Sequence, residues 1–105
     1  MELEEFGKRI AHLRSIKKVS AREMSLSIGL SANHINKMEN GITFPSMAVF
    51  FDICDYLNIS KKDFFDTENN DPNLVSEAFN DYKRLDSDDQ ANVAGIIKGL
   101  ARDSR

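Results

Sequence analysis

Apolar residues recur at three- and four-residue steps along most of the chain, a spacing that places them on one face of an α-helix. The first such stripe consists of Leu3, Phe6, Ile10 and Leu13, and it predicts a helix over about residues 2–16. Nothing in the sequence suggests a strand. The pattern therefore predicts an all-α fold.

A complete helix-start signal follows this first stripe. Ser20 is the expected N-cap, Glu23 three positions later completes a capping box, and Val19 and Met24 have the spacing of a hydrophobic staple. The second helix is expected to begin directly after Ser20 and to end near Gly29, because glycine favours helix C-termini.

The third helix is predicted only one residue further along the chain. Ser31 is a second candidate N-cap, and Leu30 and Ile35 are again at staple spacing. We expect this helix to run from about Ala32 to Asn40, with Gly41 as the stop. Two helices joined through "GLS" form a tight helix-turn-helix.

Two more helices are predicted before a break in the pattern. Ser46 and the proline before it begin the fourth helix, and Asn58 ends it. Ser60, with Asp63 at the box position, begins a short fifth helix. The apolar stripe of the fourth helix consists of Met47, Phe50, Ile53, Cys54 and Leu57.

Residues 66–73, "DTENNDPN", are polar and lack apolar periodicity, as expected for a linker or turn. The sequence therefore predicts a compact domain over residues 1–66 and a linker with a helical extension over residues 67–105. Pro72 begins a sixth helix, and Ser87 with Gln90 caps a seventh. The apolar stripe of the sixth helix consists of Leu74, Ala78, Tyr82 and Leu85. That of the seventh consists of Val93, Ile96, Ile97 and Leu100.

The composition is that of a globular protein, with 41% hydrophobic and 30% charged residues among 105. No apolar run approaches the roughly 18 residues that cross a bilayer, and the acidic, amphipathic N-terminus is unlike a signal peptide, so a cytoplasmic location is expected. The single cysteine, Cys54, fits a buried core position better than a reactive thiol.

Catalytic and metal-binding patterns are missing from the sequence. It has no phosphate-binding glycine loop and no nucleophile with a recognisable base, and neither His12 nor His34 has a second ligand at metal-site spacing. The acidic run "DSDD" over residues 86–89 is explained by a helix start. We expect no enzyme activity and no cofactor.

Charge is distributed unevenly along the chain, whose net charge is −3. Residues 1–46 carry seven basic and five acidic side chains, a net of +2, whereas residues 67–105 carry five and eight, a net of −3. The first segment is suited to a polyanionic partner, and the last is not.

The ordered set of motifs resembles the Cro and phage-repressor (XRE) type of helix-turn-helix over about Phe6–Phe65. The resemblance rests on "FGKRIAHLRSIKKVS", the "GLS" turn, "INKMENG", Pro45 and "YLNISKKDFF". It implies a five-helix repressor-like DNA-binding domain with the helix-turn-helix at helices two and three. In that family the third helix enters the major groove, and dimers place two such helices one duplex turn apart.

Carried over by alignment, Ile35 and Met38 face the core. The residues expected to face base edges are Ala32, Asn33, Asn36 and Lys37. Asparagine can pair with adenine N6 and N7, and lysine can donate to guanine O6 or N7. The alternative is that these are ordinary solvated surface residues.

Backbone contacts to DNA are expected from helix starts, whose free N–H groups attract phosphate. Ser20, Arg22 and Ser31 lie at such starts. The resemblance adds Asn40 and Thr43, with His34 at the flank.

The carboxylate of Glu39 in the last turn of a helix opposes the helix dipole and so implies a partner. Family resemblance identifies that partner as Arg14, in an ion pair that locks the third helix to the first. The alternative is a surface charge pair of little energetic weight.

The sequence departs from the family at three positions. Ala21 and Ala32 replace residues that are often long and polar, which weakens the case for base recognition, and Leu26 is apolar where family members are usually polar. Phe51 and Tyr56 fall off the buried stripe of the fourth helix. We expect the last two helices to dock across helices four and five, or to exchange between subunits, and to form a dimer around Ile96, Ile97 and Leu100.

The leading hypothesis is a bacterial or phage transcription regulator, most simply a repressor, that binds a palindromic operator in double-stranded DNA as a homodimer. The alternative is a helix-turn-helix module that binds a protein through its acidic tail, such as an antitoxin or the target of an anti-repressor.

Overall fold

A computed structural model describes residues 1–103; Ser104 and Arg105, the end of the expected extension, lie outside the described residues. Over this range the chain forms seven α-helices and no strand. The helices are α1 (Leu3–Lys17), α2 (Ala21–Ile28), α3 (His34–Glu39), α4 (Met47–Leu57), α5 (Lys61–Phe65), α6 (Pro72–Lys83) and α7 (Ser87–Asp103). The expected all-α class is confirmed.

Three of the predicted serine caps are present. The hydroxyl oxygens of Ser20, Ser46 and Ser60 accept hydrogen bonds from the backbone N–H three residues later, at 2.9, 3.2 and 3.0 Å. Gly29 and Asn58 end α2 and α4 in the left-handed conformation, with φ of 88° and 56°. Local sequence signals thus set most of these helix boundaries.

The start of α3 differs from the prediction. The helix begins at His34, two residues later than expected, and Ser31 contributes its backbone oxygen to a turn that accepts from the N–H of His34. The buried hydroxyl of Ser25 in α2 accepts from the N–H of Ile35 at 3.1 Å and donates to the carbonyl of Ala21. Because α2 satisfies an N-terminal N–H of α3, that helix needs no serine cap of its own.

The cap of α7 also differs from the prediction. Asp86, and not Ser87, accepts the N-terminal hydrogen bond, from the N–H of Asp89 at 2.9 Å. Gln90 instead joins α7 to α6: its side-chain amide donates to the carbonyl of Tyr82, and the Tyr82 hydroxyl donates to the carbonyl of Gln90. These paired bonds fix the α6–α7 hairpin at its closed end.

The core lies among the first five helices. Its fully buried centre includes Ile10, Met24, Ile53, Cys54 and Phe64, and Phe6 and Phe50 pack edge-on or tilted against Phe64 with centroids 5.2 and 5.1 Å apart. Burial raises the pKa of the Cys54 thiol, in keeping with its predicted place in the core. Tyr56, expected off the buried stripe, packs partly against this core, whereas Phe51 is 44% exposed.

The described residues divide into two compact units, one over residues 1–73 and one that begins at residue 74. The first therefore extends past the Asp66 boundary expected from the sequence. Buried Arg9 in α1 explains why, because its guanidinium lies 2.7–3.0 Å from the carbonyl oxygens of Phe64, Asp63, Asp66 and Asn69. His12 is also 2.7 Å from the carbonyl oxygen of Asn70. α1 thus anchors most of the segment expected to be a linker.

None of the helices described has the length and apolar character needed to cross a membrane.

Candidate nucleic-acid interface

The turn between α2 and α3 brings the two helices together at their facing ends. Gly29 adopts φ of 88°, a conformation that costs glycine little, and the N–H of Leu30 donates to the carbonyl of Ser25. This bond closes the C-terminus of α2 and turns the chain sharply toward α3.

The short helix α3 has one buried side and one exposed side. Ile35 and Met38 are fully buried, as the resemblance implies. Asn33, just before the helix, and Asn36 and Lys37 within it are exposed, and their spacing of three and four residues places them side by side. The structure therefore brings two amides and one ammonium group together on the outward side.

The remaining predicted base-contact and flanking residues are less accessible. Ala32 in the turn and His34 at the first position of α3 are partly buried.

The residues predicted to contact phosphates are all exposed. Ser20, Arg22 and Ser31 are exposed at or near the starts of α2 and α3, and Asn40 and Thr43 are exposed just after α3. The Ser20 hydroxyl caps α2, and the Thr43 hydroxyl donates to the carbonyl of Phe44 at 3.1 Å. The Ser20 hydroxyl keeps its O–H donor for a phosphate, whereas the Thr43 hydroxyl would have to exchange the Phe44 carbonyl for a phosphate oxygen, since carbonyl and phosphate oxygens both only accept hydrogen bonds.

An ion pair holds the C-terminal end of α3. Arg14 donates through Nε and Nη2 to both carboxylate oxygens of Glu39, at 2.7 and 2.8 Å, and through Nη1 to the carbonyl of Val19 at 2.8 Å. The hydrogen bonds to Glu39 raise the pKa of Arg14 above its ordinary value. The Glu39 side chain is only 9% exposed, so the pair is largely shielded from solvent. Arg14 thus connects Val19, the residue before the N-cap of α2, with Glu39 at the end of α3.

Two further residues that position α3 were missed by the sequence analysis. A Cβ at Gly7 would lie 2.5 and 2.6 Å from the carbonyl oxygens of Met38 and Glu39, so α1 approaches α3 closely at this glycine. Ser25 holds the other end of α3 through the N–H of Ile35. A glycine inside a predicted helix was the only sequence signal for the close approach.

The second unit carries the residues predicted for dimerisation. Ile96, Ile97 and Leu100 are 62, 58 and 63% exposed. Among the described residues, no group of three or more histidine, cysteine or carboxylate side chains is arranged to hold a metal ion.

These features define a class of protein: a bundle of short helices in which a tightly turned pair, α2 and α3, presents an exposed polar helix face. Residues 7–70 match the family model described as "Helix-turn-helix domain". The chain belongs to this helix-turn-helix family, of the Cro and phage-repressor (XRE) type.

A curated relative supports the same assignment. The chain is 35% identical over 60 residues, 57% of its length and 87% of the relative's, to an uncharacterized HTH-type transcriptional regulator, YazB, of Bacillus subtilis (strain 168). No solved structure matches the chain.

Proposed function

We propose that this protein is a transcription regulator, most simply a repressor, that binds a palindromic DNA operator as a homodimer. The observation that carries the proposal is the division of α3 into a fully buried side, Ile35 and Met38, and an exposed side with Asn33, Asn36 and Lys37. The relative's name, a transcriptional regulator, supports it.

In the proposed complex α3 lies in the major groove. The amides of Asn33 and Asn36 pair with adenine N6 and N7, and the ammonium group of Lys37 donates to guanine O6 or N7. Ala32 offers only a methyl group, which suits contact with a thymine methyl.

The phosphate contacts fix the register of the protein on DNA. The helix starts supply Ser20, Arg22 and Ser31, while Asn40 and Thr43 approach the backbone after α3, and His34 lies at the flank. Arg22 is exposed and supplies a full positive charge at the start of α2.

Homodimerisation matches the symmetry of a palindrome, since two α3 helices then reach successive turns of one DNA face. We assign it to the second unit, around Ile96, Ile97 and Leu100. Docking of that unit near Phe51 and Tyr56 remains a prediction. A repressor of this kind would act on the nucleoid in the bacterial cytoplasm, or on phage DNA.

The test is in-vitro selection from a random duplex pool at about 150 mM salt, followed by titration of the selected site against scrambled DNA. We expect a palindromic motif that is bound about a thousandfold more tightly than scrambled DNA. Asn33→Ala and Lys37→Ala should relax the preference at single positions of the motif. Salt-sensitive binding without enrichment would contradict the proposal.

A second candidate is a protein-interaction module, such as an antitoxin or the target of an anti-repressor. It is favoured by Ala21 and Ala32, which remove long polar side chains from the DNA-facing region, and by the exposed apolar residues of α6 and α7. It predicts weak DNA binding without sequence preference, together with a defined protein partner that requires residues 74–105.

A further inference from the structure

The hairpin of α6 and α7 covers little of its own apolar surface. No residue of α7 is buried, and Ile96 is 62% exposed. Amphipathic helices this short are marginal in water unless their apolar side packs against something. The side of α7 that faces away from α6 is therefore suited to packing against another helix.

The outer side of α7 is defined by Gly95, Gly99 and Ile96. At 100° per residue, Gly95 and Gly99 point away from Val93 and Ile97, which line the cleft beside α6. A Cβ built on either glycine would meet nothing within 4 Å. Glycine within a helix is less stable than alanine, so these two positions reduce helix stability with no local contact that requires them.

Charge identifies the helix that fits this side. Residues 86–89, at the start of α7, carry three aspartates, whereas residues 98–103 carry two basic side chains and one acidic. An antiparallel second copy of α7 places the acidic start of each helix beside the basic end of the other. A parallel copy would place like charges together.

We infer that two copies of this chain associate through antiparallel α7 helices that cross near Gly95. The Ile96 side chain of each copy occupies the space above the glycines of the other, and Asp88 and Asp89 lie beside Arg102 of the other copy. This inference rests on the proposed homodimer and specifies its interface.

The first test measures self-association of the full-length chain without DNA, by sedimentation equilibrium. Gly95→Gln introduces a good helix former and fills the crossing point, and it should weaken association about tenfold or more. Ala101→Gln introduces the same side chain at an exposed position off this side; it is the control and should associate like the wild type. Equal association of all three proteins would overturn the inference.

A charge experiment tests the direction of the pairing even where Gly95→Gln disturbs the hairpin. Arg102→Glu, and separately Asp88→Lys combined with Asp89→Lys, should each weaken self-association about tenfold, since each places like charges together twice in the dimer. Mixing the two variants should restore association, because both contacts are then attractive. Variants that each associate like the wild type would indicate a parallel or different pairing and would overturn the inference.

The DNA selection separates this inference from the function on which it rests. Enrichment of a palindrome, with Gly95→Gln associating normally, would leave the dimeric regulator intact and reject the α7 interface. A wild-type chain that is monomeric at high micromolar concentration would reject the interface, and selection of a single half-site would then retain DNA recognition without the dimer.

Discussion

Gly7 is a position in the first unit where the structure leaves no space for a side chain. In most helices a glycine-to-alanine change raises stability by about 0.5–1 kcal/mol. Here the added Cβ would lie 2.5 Å from the carbonyl oxygen of Met38, so α1 must move away from α3. We expect Gly7→Ala to lower the free energy of unfolding by about 1–3 kcal/mol, measured by urea denaturation.

The matched control for this change is Glu5→Ala, at an exposed position of the same helix. It should alter stability by no more than about 0.5 kcal/mol. A Gly7→Ala protein as stable as the wild type, or more stable, would show that α1 and α3 do not approach this closely.

Removing the Ser25 hydroxyl should also lower the free energy of unfolding by a predictable amount. Ser25→Ala leaves the buried N–H of Ile35 without its acceptor, at an expected loss of about 1–3 kcal/mol in unfolding free energy. Ser27→Ala, at an exposed position of the same helix, should change little. Hydrogen exchange at the Ile35 amide provides the direct measurement, and unchanged protection in Ser25→Ala would contradict the assigned bond.

At the residue scale the sequence predicted what local signals encode. Ser20, Ser46 and Ser60 cap helices whose N–H groups lie three residues away. The bond from Ile35 to Ser25 spans ten residues, and the close approach of Gly7 to Glu39 spans 32, so no local signal identifies either partner. Ser87 was predicted as the cap of α7, but the structure gives that role to Asp86, one residue earlier.

At the scale of the element, α3 depends on its neighbours. Six residues are too few for an independently stable helix. Ser25 in α2 satisfies its start, and Arg14 in α1 holds its end through Glu39. The orientation of the exposed amides is therefore determined by contacts made outside α3.

Glu39→Gln tests this dependence. It keeps the shape of the side chain but removes the charge that Arg14 binds, so we expect a loss of about 1.5–3 kcal/mol in unfolding free energy. Affinity for the selected DNA should also fall, although Glu39 is not expected to contact DNA. Thermal denaturation and DNA titration measure the two effects, with exposed Glu23→Gln as the control. If both quantities stayed at wild-type values, the locking role of the pair would be wrong.

The helix boundaries given by sequence signals were predicted within one or two residues, but the place of the polar segment after α5 was not. The run "DTENNDPN" has the composition of a linker, but contacts from Arg9 and His12 hold it against α1. Its guanidinium satisfies carbonyls at the end of α5 and beyond, and desolvation by burial lowers its pKa from the ordinary arginine value. Nothing near Arg9 in the sequence identifies partners 54–60 residues away.

At the scale of the whole molecule, the boundary after Asn73 predicts how the chain can be divided. A chain ending at residue 73 should fold, remain monomeric and bind DNA more weakly than the full-length protein, because it keeps the Arg9 and His12 contacts but lacks α7. A chain ending at residue 66 should be less stable, since the carbonyls of Asn69 and Asn70 are lost. Sedimentation and urea denaturation test both expectations. A 1–73 chain that remained dimeric would place the dimer interface in the first unit.

The family and the helix order could be predicted from the sequence, whereas the roles of individual residues at the proposed DNA interface could not. The family and the order of the helices followed from motifs spread over some sixty residues, because each motif has a local structural cause. The residues predicted to contact DNA were assigned by alignment, and their roles depend on docking and on DNA shape, which the sequence does not encode.

The Arg14–Glu39 pair has a consequence for how this protein can diversify. The side chains that hold α3 in place, Ser25, Arg14 and Glu39, are different from those that face outward, Asn33, Asn36 and Lys37. Substitutions at the outward positions break no buried contact and are nearly neutral for folding. In the proposed interface, such substitutions change the groups that face DNA without requiring compensating mutations in the core.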